Sequence, residues 1–389
     1  MLPYGRHTVT WLDTIRVAKQ LRFGQLTQGK SVENFESKIA QYVGSRYAVA
    51  VSSATAALHL SQIALNLIPG SKVATSPISF VSTSNSSFYA GLTPIFVDID
   101  PSTGNIDLNS LEALVTTQQI KCVIPVHYGG LPVNMEELSR LATLYNFFVI
   151  EDAAHALGAI YKDGSKVGCC KYSDVTVFSF HPVKTITTGE GGIITTNNVD
   201  IYNRLLRLRS HGITKDIDST EIDFFSKTNL LNNIWFYKQI DLGYHYRLTD
   251  FQSVLGSSQL QKIDKFVKTR ALIANRYDEA FESNNLIQRV GDGSKKRSAH
   301  HLYSIKIDFE SLNLSRNELM HRLREKGITT QVHYIPIPLQ PYYQKLGYSI
   351  NHIPNAMDFY LKELSIPIYP KLSINHQRYV ISNVNKLIK

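Results

Sequence analysis

An α/β fold with a large, mostly parallel sheet and a smaller α+β C-terminal domain is predicted by three observations. Short β-branched runs alternate with amphipathic segments over the first two-thirds of the chain, the pattern of a sheet covered by helices. After Leu248 that alternation gives way to a long helical stretch. The length, 389 residues, gives roughly two to three domains at about 150 residues each.

Seven runs read as strands: 47–51 (YAVAV), 72–75, 94–97 (PIFV), 122–126 (CVIPV), 147–150 (FFVI), 175–180 (VTVFSF) and 192–196 (GIITT). Between them 55–67, 79–89, 108–115 and 135–144 carry apolar residues at three-to-four spacing and read as helices. The stretch 249–281 reads as one long helix with a stripe of Leu255, Leu260, Ile263, Phe266 and Val267. Beyond it, 302–307 and 330–334 read as strands and 315–326 and 377–388 as helices. The predicted division is therefore a large domain over 1–255 and a small one over 256–389. The stretch 216–241 is polar and aromatic without a period and reads as a loop insertion.

Composition narrows the partners. The chain has 41 Lys+Arg against 32 Asp+Glu, a net charge of +9, but the basic residues are dispersed and the densest run is Lys295-Lys296-Arg297. Dispersed charge argues against a nucleic-acid partner. Three cysteines, Cys122, Cys169 and Cys170, make no disulfide framework, and no zinc spacing accompanies them. The first residues lack the apolar core of a signal peptide, and no apolar run approaches the ~18 residues of a membrane span. A cytoplasmic protein without membrane contact is expected.

In open α/β sheets ligands bind beyond the carboxyl ends of strands. Four polar groups follow predicted strands: Ser52-Ser53-Ala54-Thr55, Glu151-Asp152-Ala153-Ala154-His155, Ser179-Phe180-His181-Pro182-Val183-Lys184, and Gly189-Glu190-Gly191-Gly192. Lys184 is either a solvated loop lysine or, held close to the sheet, a desolvated amine nucleophile. Asp152 either caps a following helix or pairs with a protonated ring nitrogen, as pyridoxal phosphate requires. His155 is either a core histidine or a contact to the face or hydroxyl of such a ring. Ser52 to Thr55 open a helix whose N–H groups favour an anion, although most such residues are only caps. Nucleotide P-loop and dinucleotide glycine patterns are both absent.

Taken together these groups resemble the sugar-nucleotide aminotransferases, pyridoxal-phosphate enzymes of the aspartate-aminotransferase fold (fold type I). The resemblance runs through GQLTQGK at 24–30, SSATAAL at 52–58, PISFVSTSN at 77–85, FVDIDPSTGNID at 96–107, EDAAHALGA at 151–159, FSFHPVKTITTGEGG at 178–192, RSHG at 209–212, LGYHYRLTDFQSVLGSSQL at 242–260 and QVHYIP at 331–336. Within the family PISFVST, HALG, SFHPVKTITT and QVHY look most like the pseudaminic-acid branch. That branch moves the amino group of L-glutamate, leaving 2-oxoglutarate, to C4 of a UDP-2-acetamido-2,6-dideoxy-4-ketohexose; sibling branches act on other UDP- or dTDP-linked 3- or 4-ketosugars.

The resemblance implies residue roles. Lys184 would hold pyridoxal 5'-phosphate through its amine and then carry the proton. Asp152 would face the pyridine nitrogen, Phe80 would stack on the ring, and His155 would touch its face or hydroxyl. Ala54, Thr55 and Ser179 would hold the phosphate. Tyr4, Gln25, Leu26, Thr27, Gln331, Val332, His333 and Tyr334 would line the sugar-nucleotide site. The resemblance also implies a homodimer with a shared site, in which the family's GYxYR asparagine reaches the partner's phosphate. This chain has His245 there, which either donates from a ring nitrogen or has lost the contact. The competing reading is a non-catalytic sugar-nucleotide-binding relative.

Overall fold

The computed structural model describes residues 1–215, 233–291, 293 and 296–389. Its main sheet has seven strands: β1 (Tyr47–Val51), β2 (Lys72–Thr75), β3 (Thr93–Phe96), β4 (Ile120–Ile124), β5 (Phe148–Asp152), β6 (Val175–Ser179) and β7 (Gly192–Thr196). They lie in the order β1-β7-β6-β5-β4-β2-β3, with β7 antiparallel to both neighbours and every other pair parallel. Both faces are covered, which is why the strand sequences are apolar almost throughout. Along β6 and β7, Val175, Val177 and Ile194 enter one core, while Phe178 and Ile193 enter the other. That alternation is the two-residue period of a strand.

Helices α1 (Trp11–Phe23), α2 (Lys30–Val43) and α3 (Ala54–Ala64) open the helical layers. On α2 the buried Val32, Phe35, Ile39 and Val43 recur at three-to-four spacing against the sheet. The small domain is built on a three-stranded antiparallel sheet of Ile287–Arg289, Tyr303–Ile307 and Glu363–Ile366. Its core includes Leu319, Leu323, Val380 and Val384 from the helices Arg316–Glu325 and Ile374–Leu387. No helix among the described residues is long and apolar enough to cross a membrane.

Two expectations are corrected. The stretch 249–281 is two helices, Asp250–Leu260 and Ile263–Phe281, because the chain tightens into a turn at Gln261 and Lys262, where Lys262 N–H donates to the Gln259 carbonyl at 3.0 Å and the Lys262 amine is drawn onto Asp13 of α1 at 2.6 Å. The segment 330–334 is not a strand. Only Gln331 pairs, with Ser365, and the next ladder position is lost because His333 N–H is taken by the Glu363 carboxylate at 2.8 Å. Of the loop expected over 216–241, residues 216–232 lie outside the described residues, and Lys238–Gln239 pairs with Ile213–Thr214.

The helix Ile263–Phe281 enters two cores. Ile263 and Phe266 pack with the main sheet, whereas Ile273, Ala274, Tyr277 and Phe281 pack in the small domain. The first residues of the chain also lie on the small domain. Leu2 N–H donates to the Gly327 carbonyl, Thr329 N–H to that of Leu2, and Ile368 N–H to that of Tyr4, at 2.6, 2.8 and 3.0 Å.

Asp13 anchors α1. It is fully buried and accepts from Ser258 at 2.5 Å, Gln259 at 2.9 Å and Lys262 at 2.6 Å. Burial opposes its ionisation, but hydrogen bonds from Lys262, Ser258 and Thr10 outweigh that and hold the carboxyl down to about 2. The folded-state pKa lies below the unfolded one, so this contribution is complete above the unfolded value and lost as pH falls toward 2. Asp13→Ala should cost roughly 3 kcal/mol at pH 7 in urea unfolding, and the gap to wild type should narrow below pH 4.

Candidate active site

The strand ends converge on one edge. Because β7 reverses, Gly192 lies beside Val51 of β1 and Ser179 of β6, and Asp152 ends β5 on the same edge. A Cβ on Gly192 would stand 2.5 Å from the backbone of Ser53, so only glycine lets the start of α3 approach the sheet this closely. Ser53 caps α3 by accepting Ala56 N–H at 3.1 Å. The helix N-terminus and the strand ends border a cavity of about 640 Å³.

Lys184 follows β6 on a turn in which its N–H donates to the His181 carbonyl at 2.9 Å. Burial pushes its amine down to about 8, with the Asp152 carboxylate pulling the other way. An amine of this kind is a free-base nucleophile in a sizeable fraction near neutral pH. The rate at which the cofactor-free protein captures an aldehyde should therefore rise as pH passes 8 and level off above it. A rise only near pH 10, measured by stopped-flow absorbance, would mean an unperturbed lysine.

Asp152, buried on the cavity floor, accepts the Thr83 hydroxyl on Oδ2 at 2.7 Å and Ala154 N–H on Oδ1 at 3.1 Å. Thr83 is itself bonded to Ser79 at 2.6 Å, so the carboxylate is held by a short hydroxyl chain. His155 shares a hydrogen bond with the Tyr334 hydroxyl through Nε2 at 3.2 Å, and its Nδ1 is buried without a protein partner among the described residues. Burial, then the nearby Lys184 and His333, drives its pKa well below the usual value, which keeps the ring neutral. His301 lies behind it, ring centroids 4.4 Å apart. Arg270, buried in the long helix, fixes that segment by donating to the His300, His301 and Ile368 carbonyls.

The structure brings most of the expected residues together. Tyr4, Ala54, Thr55, Phe80, Asp152, His155, Ser179, Lys184, Gln331, Val332, His333 and Tyr334 all line the cavity. It does not bring in Gln25, Leu26 and Thr27, which are exposed between α1 and α2. That loop is pinned elsewhere: Asp250 N–H donates to the Leu26 carbonyl, and the Asp250 carboxylate takes Gly29 N–H and Ser31 N–H. Nor does His245 reach the cavity of its own chain. It forms a bridge with Ser210 and stacks on His211 at 5.4 Å. Sequence reasoning assigned no role to Ser79, Thr83 or His301. Ser79 and Thr83 fall within the quoted PISFVSTSN segment, but only the fold shows that Thr83, in the first turn of the helix Ser82–Tyr89, meets Asp152 and that Ser79, just before that helix, meets Thr83.

These residues fit pyridoxal phosphate. The cavity gathers a low-pKa amine, a buried carboxylate, the exposed ring of Phe80 above the floor, an orphaned imidazole nitrogen, and a helix N-terminus with the Thr55 and Ser179 hydroxyls near it.

Comparison with known proteins gives the same direction. The model of the DegT/DnrJ/EryC1/StrS aminotransferase family matches residues 12–385. Over 382 residues the chain is 38% identical to a UDP-4-amino-4,6-dideoxy-N-acetyl-beta-L-altrosamine transaminase of Campylobacter jejuni, covering 98% of this chain and 96% of that one. Among solved structures it is similar to Helicobacter pylori PseC, an aminotransferase involved in the biosynthesis of pseudoaminic acid (TM-score 0.90, 31% identity, 100% and 99% coverage). It is also similar to the PLP form of Spr1654 from Streptococcus pneumoniae (TM-score 0.87, 27% identity, full coverage of both chains).

Proposed function

Since the chain belongs to the DegT/DnrJ/EryC1/StrS aminotransferase family, we propose that it uses pyridoxal phosphate to move the amino group of L-glutamate to C4 of a UDP-2-acetamido-2,6-dideoxy-4-ketohexose in pseudaminic acid biosynthesis. The observation that carries this reading is Lys184, lowered to about 8, sharing one cavity with Asp152 and the exposed ring of Phe80. Bound there, the cofactor supplies the electron sink for amino-group transfer.

The protein's own residues supply position and protons. Lys184 would hold the cofactor through its amine and, once freed, would take and return a proton at Nζ; a pKa near ambient pH serves both directions. Asp152, kept in place by Thr83 and Ala154 N–H, presents a carboxylate to the pyridine nitrogen. Phe80 would cover the ring, and neutral His155 would meet its face or hydroxyl side. Ala54, Thr55 and Ser179 take the phosphate at the start of α3. Tyr4 and the wall of Gln331, Val332, His333 and Tyr334 orient the sugar nucleotide. Gln25, Leu26, Thr27 and His245 act in the site of a second copy, in a homodimer with shared sites. The division over 1–255 and 256–389 gives one wall of the cavity to each domain.

The test has two stages. The purified protein should bind pyridoxal phosphate with a visible absorption that borohydride reduction fixes to Lys184 and that glutamate bleaches. Incubation with glutamate and a panel of UDP- and dTDP-linked ketosugars, with NMR of the product, should then show amination at C4 of the UDP sugar. Amination only at C3, or only of dTDP sugars, would refute the assigned substrate.

A further inference from the structure

Behind the sugar-side wall of the cavity lies a polar cluster that the amino transfer does not use. Glu363, the first residue of its strand, is fully buried. Its Oε2 accepts His333 N–H at 2.8 Å and its Oε1 accepts the Ser365 hydroxyl at 2.6 Å. Ser365 Oγ lies 2.8 Å from Nδ1 of His333. Ser304 Oγ stands 2.9 Å from Ser365, and the Tyr128 hydroxyl, 3.0 Å from Ser304, donates to the His333 carbonyl at 2.7 Å. His333 lines the cavity with its ring against Tyr4, centroids 5.2 Å apart. Since Nδ1 turns back onto Ser365, Nε2 is the ring nitrogen left for a ligand.

Hydrogen-bond bookkeeping fixes what Nε2 offers. An ionised Glu363 has no proton; with Tyr128 donating to the His333 carbonyl and Ser304 to the Tyr128 oxygen, Ser365 at 2.6 Å is the hydroxyl left to donate to Oε1, so Ser365 accepts from His333. Nδ1 then carries the ring proton and Nε2 is an acceptor. A protonated Glu363 carries its proton on Oε1, because Oε2 already accepts a backbone N–H. The nearest acceptor for it is Ser365 at 2.6 Å; Tyr128 is farther, at 3.3 Å. Ser365 then donates to Nδ1, and Nε2 carries the ring proton. The change balances as one proton taken up: it enters at Nε2 from the cavity, the Nδ1 proton passes to Ser365, and the Ser365 proton passes to Glu363.

We propose that Glu363, acting through Ser365, is a positioning residue that sets the tautomer of His333 and so decides whether the sugar-side wall accepts or donates a hydrogen bond. The substrate part of this rests on the function proposed above. Burial raises the Glu363 carboxyl to about 7, against hydrogen bonds from Ser365, His333 N–H and Ser304 and the charge of Arg316. The other groups facing it are Tyr128, Tyr334, which feels the Glu363 charge, and Lys306, its register partner, whose amine is committed to the Pro101 carbonyl. Burial, then Lys184, pushes His333 down to about 3, so its ring stays neutral in both states.

The experiment is nitrogen NMR of the full, cofactor-loaded protein labelled with ¹⁵N-histidine, with the His333 signals identified by their loss in His333→Gln. In wild type, Nε2 should change from unprotonated at pH 8.5 to protonated at pH 6 while Nδ1 does the reverse. Glu363→Gln, whose amide donates to Ser365 while its oxygen keeps His333 N–H, should hold Nε2 protonated at both pH values. Ser365→Ala should abolish the exchange. With the ketosugar, the change of KM between these pH values should be about tenfold larger in wild type than in Glu363→Gln, with kcat at each pH similar in the two proteins. The same tautomer at both pH values in wild type, an unaltered tautomer in Glu363→Gln, or an equal change of KM in the two proteins overturns the proposal. If the ketosugar is not a substrate, the earlier reading fails while the nitrogen signals still decide this one.

Discussion

Lys184→Ala should lose at least about 10³-fold in turnover, because in the proposed reaction one side chain would both hold the cofactor and carry the proton in each half. The substitution should cost little in stability. Lys184 leaves β6 on a loop, makes no side-chain hydrogen bond among those found in the described residues, and pays a desolvation cost that drives its amine down to about 8. Removing a strained cation should leave the unfolding midpoint close to that of wild type. The variant should still bind pyridoxal phosphate through the helix N-terminus and Phe80, with no borohydride-stable attachment. A variant keeping more than a tenth of wild-type turnover, in a glutamate-coupled assay, would show that the proton is carried elsewhere.

Asp152→Asn should lower turnover by roughly 10²- to 10³-fold, the scale of removing one preorganised electrostatic contact. Asparagine keeps the volume and can still accept Ala154 N–H on its one oxygen, with its NH2 turned to donate to the Thr83 hydroxyl oxygen, but it cannot stabilise a proton on the ring nitrogen. Thr83→Val separates position from charge. It leaves the carboxylate and removes the hydroxyl that aims it, and should cost only about tenfold. Equal losses in the two variants would mean that orientation, and not charge, is what Asp152 supplies. Titration of the visible absorption band should show the Asn variant's cofactor deprotonating at lower pH than wild type.

Most of the main sheet was legible because its strands are buried on both faces and therefore read as unbroken apolar runs. The site was legible where chemistry requires a residue at a strand end: Asp152, Ser179 and Lys184 each follow such a run. What escaped the sequence has identifiable causes. The helix break at Lys262 is set by a partner almost 250 positions away, Asp13, which no local period reports. The segment 330–334 has the composition of a strand and loses its ladder to a side chain, Glu363. The exposed α1, with Asp13 its single buried residue, gives no apolar stripe to detect. Thr83 and Ser79 looked like small residues of an ordinary helix until β5 was placed beside them.

The helix Ile263–Phe281 works as a common axle for the two domains. Ile263 and Phe266 key it into one body and Ile273, Tyr277 and Phe281 into the other, seven positions or about two turns apart. A hinge between the bodies would have to break helical hydrogen bonds or pull an aromatic side chain from its socket. Asp152 and Lys184 belong to one body, and the Gln331 to Tyr334 wall is tied by Ser365 and Glu363 to the other. The spacing between the floor of Asp152 and Lys184 and the wall of Gln331 to Tyr334 is thereby gauged by this rod, together with the shared core of Phe96, Tyr128, Ile337 and Phe359, and a ligand of the cavity meets a berth already cut to width.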